Sequence, residues 1–319
     1  MNRRDVLRFL GAGAAVAAGY GAVTWLDGVL PLGRHGKLLA QTRLAMGTFV
    51  SVSVLDASPA RAEEAVGRAF ATLDRLEAEL TRYRSGTALS VLNAEGRVGA
   101  PPQSLLRLLE LAEHSHRITS GAFDPTVQPV LAYLEQRSAA GKLPDAADMA
   151  ALRPLLGFEN VRWSSREVRL ERGGMALTLN AVGKGYIVDQ MVETLRSQGV
   201  RHGLVNAGGD LHAFGGKGQD TPWTIALRDP ANPGHSLAQV EIFDGACATT
   251  GDYEVFFDRE RLFHHVVDPA TAQCPHWAHA ATVVAESTAL ADSLSTALMV
   301  LGPAGRELVS RHGRIISLG

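Results

Sequence analysis

Residues 175–195 constrain this chain more than any other stretch. Met175, Leu177 and Leu179 read as an apolar strand that stops at Asn180. Gly183-Lys184-Gly185 follows, and apolar residues then recur at helical spacing at Ile187, Val188, Met191, Val192 and Leu195. A strand passing through a glycine turn into a helix aims backbone N–H groups and the positive helix end at one point. A phosphate or pyrophosphate suits that point, and Lys184 adds a mobile positive charge to it. An ordinary β-turn-α connection, with glycines serving only close packing, reads the same way. The spacing is not G-x-G-x-x-G, and no G-x-x-x-x-G-K-[ST] is present. Neither a dinucleotide fingerprint nor a P-loop is therefore indicated.

The N-terminus carries a second signal. Arg3-Arg4 and Arg8 precede a run of apolar and small residues over 9–26. A charged head before a moderately hydrophobic segment predicts export, and the paired arginines predict the twin-arginine route to the periplasm. No cysteine follows the run, so a lipoprotein anchor is not supported. An uncleaved signal anchor is the alternative, and it would be the chain's own link to a membrane. We therefore assign residues 1–40 to signal and linker and 41–319 to one folded domain.

With 319 residues, 46% of them hydrophobic, the chain has ample material for a core. A formal net charge of -2 argues against nucleic acid as the main partner. Cys247 and Cys274 make neither a disulfide framework nor a zinc set, and sequence leaves open whether they pair. Pro59 opens a long amphipathic helix with a stripe from Ala62 to Leu80. Further helices are predicted over 88–93, 104–117, from Val127, and from Ser287 to about Leu301. Strands are predicted over 49–55, 161–163, 168–170, 204–206, 223–227, 239–243, 264–267 and 281–285. Residues 141–148 read as a surface linker. Strands and helices intersperse without strict alternation, which predicts an α+β fold with mixed, mostly antiparallel sheets and packed helices.

Two polar groupings interrupt this pattern. Asp292 and Thr296 lie four apart inside an apolar helix, so both project from one face. A carboxylate, a hydroxyl and a backbone carbonyl form the oxygen-only set that Mg²⁺ prefers. A solvent-facing Asp, with a Thr bonded back to its own helix, is the plainer reading. His265 and Asp268 lie three apart on a short strand ended by Pro269, and a structural histidine is the default there.

In order along the chain stand Met46-Gly47-Thr48, then Tyr83 with Ser85 and the 89–93 tail, and residues 121–126. Residues 182–186 with Asp189, Gly208-Gly209-Asp210, residues 249–253, residues 265–269 and residues 292–296 complete the set. This ordered string resembles the ApbE family, the FAD:protein FMN transferases, over residues 44–302. The resemblance implies an ApbE-like, T-fold-like architecture and Mg²⁺-dependent transfer of FMN from FAD, as substrate, to a Ser or Thr hydroxyl of an acceptor protein, releasing AMP. The implied acceptor is an exported or membrane redox protein with a flavoprotein domain of the RnfG, NqrC or NosR type. By position, Met46, Tyr83, Ala122, Phe123, Asp124, Thr178, Lys184 and His265 match FAD-contacting places. Ala181 and Ser295, through their carbonyls, match the metal shell together with Asp292 and Thr296.

Lys184 and Asp292 would then neutralise charge, and His265, titrating near neutral pH, would serve as base. Asp252 and Asp268 are the alternative bases. Thr178 stands where the family often has Asp, and Ala272 where a Gly usually closes the D-P-x-T-G turn. Leu179-Asn180 looks more like the variant associated with the nitrous-oxide-reduction accessory protein NosX. A non-catalytic flavin carrier, or a pyrophosphatase giving FMN and AMP, are the competing expectations.

Overall fold

The structure is a computed structural model that describes residues 28–31, 37–218, 221–228 and 236–319. The export reading falls on residues outside that set. Among the described residues no helix is long and apolar enough to cross a membrane.

In chain order the elements begin with β1 (Gly28–Pro31), β2 (Lys37–Ala45), β3 (Thr48–Asp56), α1 (Pro59–Leu80), α2 (Ala88–Glu95), β4 (Arg97–Gly99) and α3 (Gln103–Ile118). The middle of the chain adds α4 (Gln128–Ala139), α5 (Ala146–Ala151), β5 (Val161–Trp163), β6 (Glu167–Leu170), α6 (Asn180–Ser197), β7 (His202–Ala207) and β8 (Asp210–Phe214). Last come β9 (Trp223–Arg228), β10 (Ser236–Ile242), β11 (Gly245–Gly251), β12 (Ala280–Ala285), α7 (Thr288–Leu301), α8 (Arg306–Ser310) and β13 (Arg314–Leu318). Among the described residues the main sheet has eight strands in the order β1-β2-β3-β7-β8-β11-β12-β13. Every described pairing in it is antiparallel. The fold is α+β, as the interspersed pattern predicts, and its sheet reaches back before residue 41 through β1 and β2.

Side-chain alternation sets the two faces of this sheet. Val50, Val52, Val54, Val205, Phe214, Ala246 and Ala248 join α1, α3, α6 and α7 in the principal core. Leu204, Leu211, Ala213 and Cys247 point the other way, under the β9–β10 ribbon. Cys247 and Cys274 are both free, and they sit in different clusters. Helix α1 starts where the Ser58 hydroxyl accepts from the Arg61 N–H and Pro59 fills the first helical position. Its stripe is buried as its spacing predicts. Helix α7, capped by Ser287, is buried nearly all round, as a helix with little polar face must be.

Three local expectations are corrected. Residues 175–179 form no strand. The Asn93 amide takes the place of a neighbouring strand, accepting from Leu177 N–H at 2.7 Å and donating to Leu177 O at 2.9 Å. Burial made the run apolar, and a side chain satisfies its backbone. Residues 264–267 are likewise irregular, with an isolated bridge from His264 to Phe256 and a hydrogen bond from His265 N–H to Val255 O in place of a strand ladder. Residues 141–148 include the start of α5, where Asp145 accepts from the N–H groups of Ala147 and Asp148.

Register places the site. Val50 pairs with Ala207, so the Met46-Gly47 and Gly208-Gly209 turns lie at the same end of the sheet. Cys247 pairs with Leu211, which brings the end of β11, Thr250-Gly251-Asp252, to that end too. The turns touch: a Cβ on Gly208 would stand 2.4 Å from Thr48 Oγ1, so only glycine fits.

Candidate functional site

Gly183-Lys184-Gly185 is not a turn before a helix; it lies inside α6, which begins at Asn180. Neither glycine has the positive φ of a turn residue. Gly185 is instead a packing residue. A Cβ there would fall 2.6 Å from the Thr288 carbonyl oxygen and from the Ala289 nitrogen, so its absence lets α6 and α7 cross in backbone contact.

Strand β8 reads α6 through its inward face. Asp210, His212 and Phe214 alternate toward the helices, and Asp210 pairs with Lys184, Oδ2 to Nζ at 2.5 Å. Burial alone would push the Lys184 ammonium down, but the carboxylates of Asp210, Asp292 and Glu254 outweigh it and hold the group above its ordinary value. Lys184 is thus a permanent cation, with its side chain 30% exposed against 2% for Asp210.

Beside it, α7 presents Asp292, buried, with Oδ2 lacking any hydrogen-bond partner. Burial, and then Asp210 and Glu254, push this carboxyl well above the usual carboxylate range, while Lys184 and the Gly185 N–H oppose them. Ser295 Oγ donates to Asp292 O at 2.9 Å and lies 2.7 Å from Thr250 Oγ1, which lies 3.2 Å from Thr296 Oγ1. With the Ser295 proton spent on the carbonyl, Thr250 donates to Ser295 and Thr296 donates to Thr250. The lone pairs of Thr296 then stay free.

No group of three or more His, Cys, Asp or Glu side chains among the described residues forms a metal cage. What α7 offers is one orphaned buried carboxylate oxygen with hydroxyls and carbonyls around it. That is the donor chemistry of a hard, oxygen-ligated cation, and a cation would relieve the unpaired charge.

Of the other predicted FAD-contacting residues, Ala122, Phe123 and Asp124 share a loop that is tied to Thr178, and Met46 and Tyr83 stand at separate turns. Ala122, Phe123 and Asp124 are buried. Asp124 Oδ1 accepts from Thr126 N–H and Oγ1–H, and Oδ2 accepts from Phe158 N–H. Burial raises its pKa against those hydrogen bonds. Thr178, also buried, donates its N–H to Pro125 O at 2.8 Å, which ties this loop to the start of α6. Tyr83 is 73% exposed, with the Arg82 guanidinium 4.2 Å from its ring centroid; Arg82 is anchored by Glu135. Met46 holds a φ of 51° at its turn, and its N–H donates to Glu77 Oε1. Ala181 lies in the first turn of α6.

The base candidates separate clearly. Burial first, with repulsion from His264 and Lys184, pushes the His265 imidazole down to about 4, although Val255 O and Asp252 oppose it. This corrects the expectation of a group titrating near neutrality: His265 is neutral there, with Nδ1 3.2 Å from Val255 O. Asp268 spends both carboxylate oxygens on its own turn, accepting from Ala270 N–H and Thr271 Oγ1–H. Ala272 closes that turn at a φ of 59°, a left-handed position that favours glycine. Asp252 pairs with His279 at 2.7 Å.

Sequence reasoning passed over Glu254 and His212, and noted Asp210 and Thr250 without a role. The signal for two of them was available: Asp210, His212 and Phe214 alternate along a strand, two of them polar on a face that faces the core.

A fixed cation in the first turns of α6 therefore stands beside a buried oxygen-donor set on the helix that α6 crosses. The chain belongs to the ApbE family, whose model matches residues 46–317. Relatives named FAD:protein FMN transferase include one of Treponema pallidum, 30% identical over 302 residues, covering 87% of this chain and 83% of that one. Another, of Klebsiella pneumoniae, is 29% identical and covers 84% and 79%. The solved apo form of the Pseudomonas stutzeri flavinyl transferase ApbE superposes with a TM-score of 0.73 at 31% identity, covering 86% and 88%. An ApbE protein of Thermotoga maritima shares the fold, with a TM-score of 0.77 at 24% identity and coverage of 87% and 93%.

Proposed function

We propose that this protein transfers FMN from FAD to a Ser or Thr hydroxyl of an acceptor protein and releases AMP. The observation that carries this reading is Asp292 Oδ2, buried without a partner beside the fixed cation Lys184. The names of the relatives support FAD as the donor and a protein as the acceptor. Asp292, Thr296 and the carbonyls of Ala181 and Ser295 would hold Mg²⁺. Once bound, that ion supplies Lewis acidity at the phosphate oxygens.

Transfer to a hydroxyl asks for little covalent work from the protein. The acceptor oxygen attacks the phosphorus on the FMN side of the pyrophosphate, the bond to the bridging oxygen breaks, and AMP carries that oxygen away. The hydroxyl proton passes to a base. His265, neutral above about pH 4, has a ring nitrogen available for it. Lys184, locked by Asp210 and therefore preorganised, opposes charge on the pyrophosphate without moving. The exposed ring of Tyr83 offers a face to one of the planar ring systems of FAD.

The test is direct. Purified protein with FAD, Mg²⁺ and a flavoprotein acceptor domain yields AMP and a covalently fluorescent acceptor in equal amounts. Free FMN and AMP without acceptor would replace this reading with a pyrophosphatase, and bound FAD with no AMP at all would replace it with a flavin carrier. We further propose periplasmic location by twin-arginine export. Changing Arg3 and Arg4 to Lys then leaves the protein in the cytoplasm, as fractionation would read.

A further inference from the structure

Asp189, one turn beyond Gly185 on α6, does more than begin the neighbouring helix. Its Oδ1 accepts from Thr288 N–H at 2.8 Å and its Oδ2 from Ala289 N–H at 3.0 Å, the two leading amides of α7. The same Oδ1 lies 2.9 Å from Nδ1 of His212. Thr288 is also where Gly185 meets α7, and its Oγ1 is buried without a partner. Asp292 stands four residues on, one turn along the same face. On the β8 side, His212 is two residues from Asp210, the partner of Lys184. Lys184, Asp210, His212, Asp189 and the start of α7 therefore link α6, β8 and α7 beside Asp292.

We propose that Asp189, fixed by His212, is a positioning residue that sets the separation between Lys184 on α6 and Asp292 on α7. A carboxylate suits this task because two amides and one ring N–H need three acceptor sites in one plane, which a neutral amide side chain cannot supply. An anion also complements the positive end of α7. A capping role alone would stabilise the helix; a positioning role also controls how the oxygen donors of α7 meet a cation. The activity arm of the test rests on the transfer reading, and the binding arm does not.

The experiment uses the full chain as Asp189→Ala, Asp189→Asn, His212→Phe and His212→Asn. Mn²⁺ binding is followed by the spin resonance of free Mn²⁺ without FAD, alongside transfer kcat, KM for FAD and thermal unfolding. Asp189→Ala and His212→Phe should weaken Mn²⁺ binding and lower kcat by about tenfold or more, with KM for FAD changed by less than about threefold. His212→Asn, whose amide N–H replaces the Nδ1–H donor, should restore both quantities toward wild type. If Asp189→Ala fails to fold, Asp189→Asn, which keeps the shape and one acceptor, should show an intermediate loss. Wild-type Mn²⁺ affinity in the Asp189 variants, or equal losses in both His212 variants, would overturn the proposal. Normal Mn²⁺ effects with no transfer by the wild type would instead sink the transfer reading and leave the clamp standing.

Discussion

Asp124 and Asp292 are both buried carboxylates in this molecule, and burial raises the pKa of both. Asp124 has two backbone N–H groups and a hydroxyl as donors, so its charge is used up in holding the loop at 121–127. Asp292 has an oxygen with no donor at all. A buried carboxyl oxygen left without a donor is costly to keep for structure alone. The difference makes Asp124 a brace for its loop and leaves Asp292 an open oxygen, which the proposed function would give to a cation.

Substitution should separate them most strongly. Asp292→Ala should cut transfer by at least about a thousandfold, while urea unfolding shows stability equal to wild type or higher, because an unpaired buried carboxyl is removed. Asp124→Ala should do the reverse to the fold: about 2–4 kcal/mol lost, since Thr126 and Phe158 N–H become buried orphans. Equal stability losses in the two variants would erase the distinction. Gly185→Ala should come next, costing about 1–3 kcal/mol as the new methyl group pushes α6 from α7. It should also weaken Mn²⁺ binding, read by titration.

His265 provides a pH test of the region around the site. Between its ordinary value of 6.5 and about 4 the unfolded imidazole takes a proton that the folded one refuses. Stability should therefore be complete above the upper value and fall as pH is lowered through that window. His265→Gln should flatten this part of the stability curve. The smallest effect expected is at Ala272, where φ is 59°. Ala272→Gly should raise stability by about 0.5–1 kcal/mol, the relief of left-handed strain less the entropy that glycine adds to the unfolded chain. No rise in melting temperature would remove the strain argument.

Much of this architecture was legible beforehand. The stripe on α1 and the caps at Ser58 and Ser287 are local rules, and the chain obeys them. Asp292 and Thr296 stood out because polar residues sat where a buried helix calls for apolar ones. Legibility stopped where the partner is distant in sequence. The run ending at Leu179 looks like a strand, because a buried apolar segment whose backbone is satisfied by Asn93, 84 residues away, has the same composition as one. Gly183-Lys184-Gly185 looks like a turn, because the Thr288 backbone that demands a missing side chain at Gly185 cannot be seen from α6. His265 keeps its ordinary pKa on paper, since desolvation exists only once the loop has packed.

By itself, the order of residues determined most of the helices, many of the strands and their inward faces, and which side chains could bind phosphate or metal, because periodicity and capping act within a few residues. Only tertiary structure decided that Lys184 is locked to Asp210, that Asp292 is left with an open oxygen, and that Asp189 ties the two helices together. Those outcomes depend on burial and on close approach between segments distant in the chain, about a hundred residues apart for Asp189 and α7, where the energy of a charge is set by what surrounds it rather than by its neighbours along the chain.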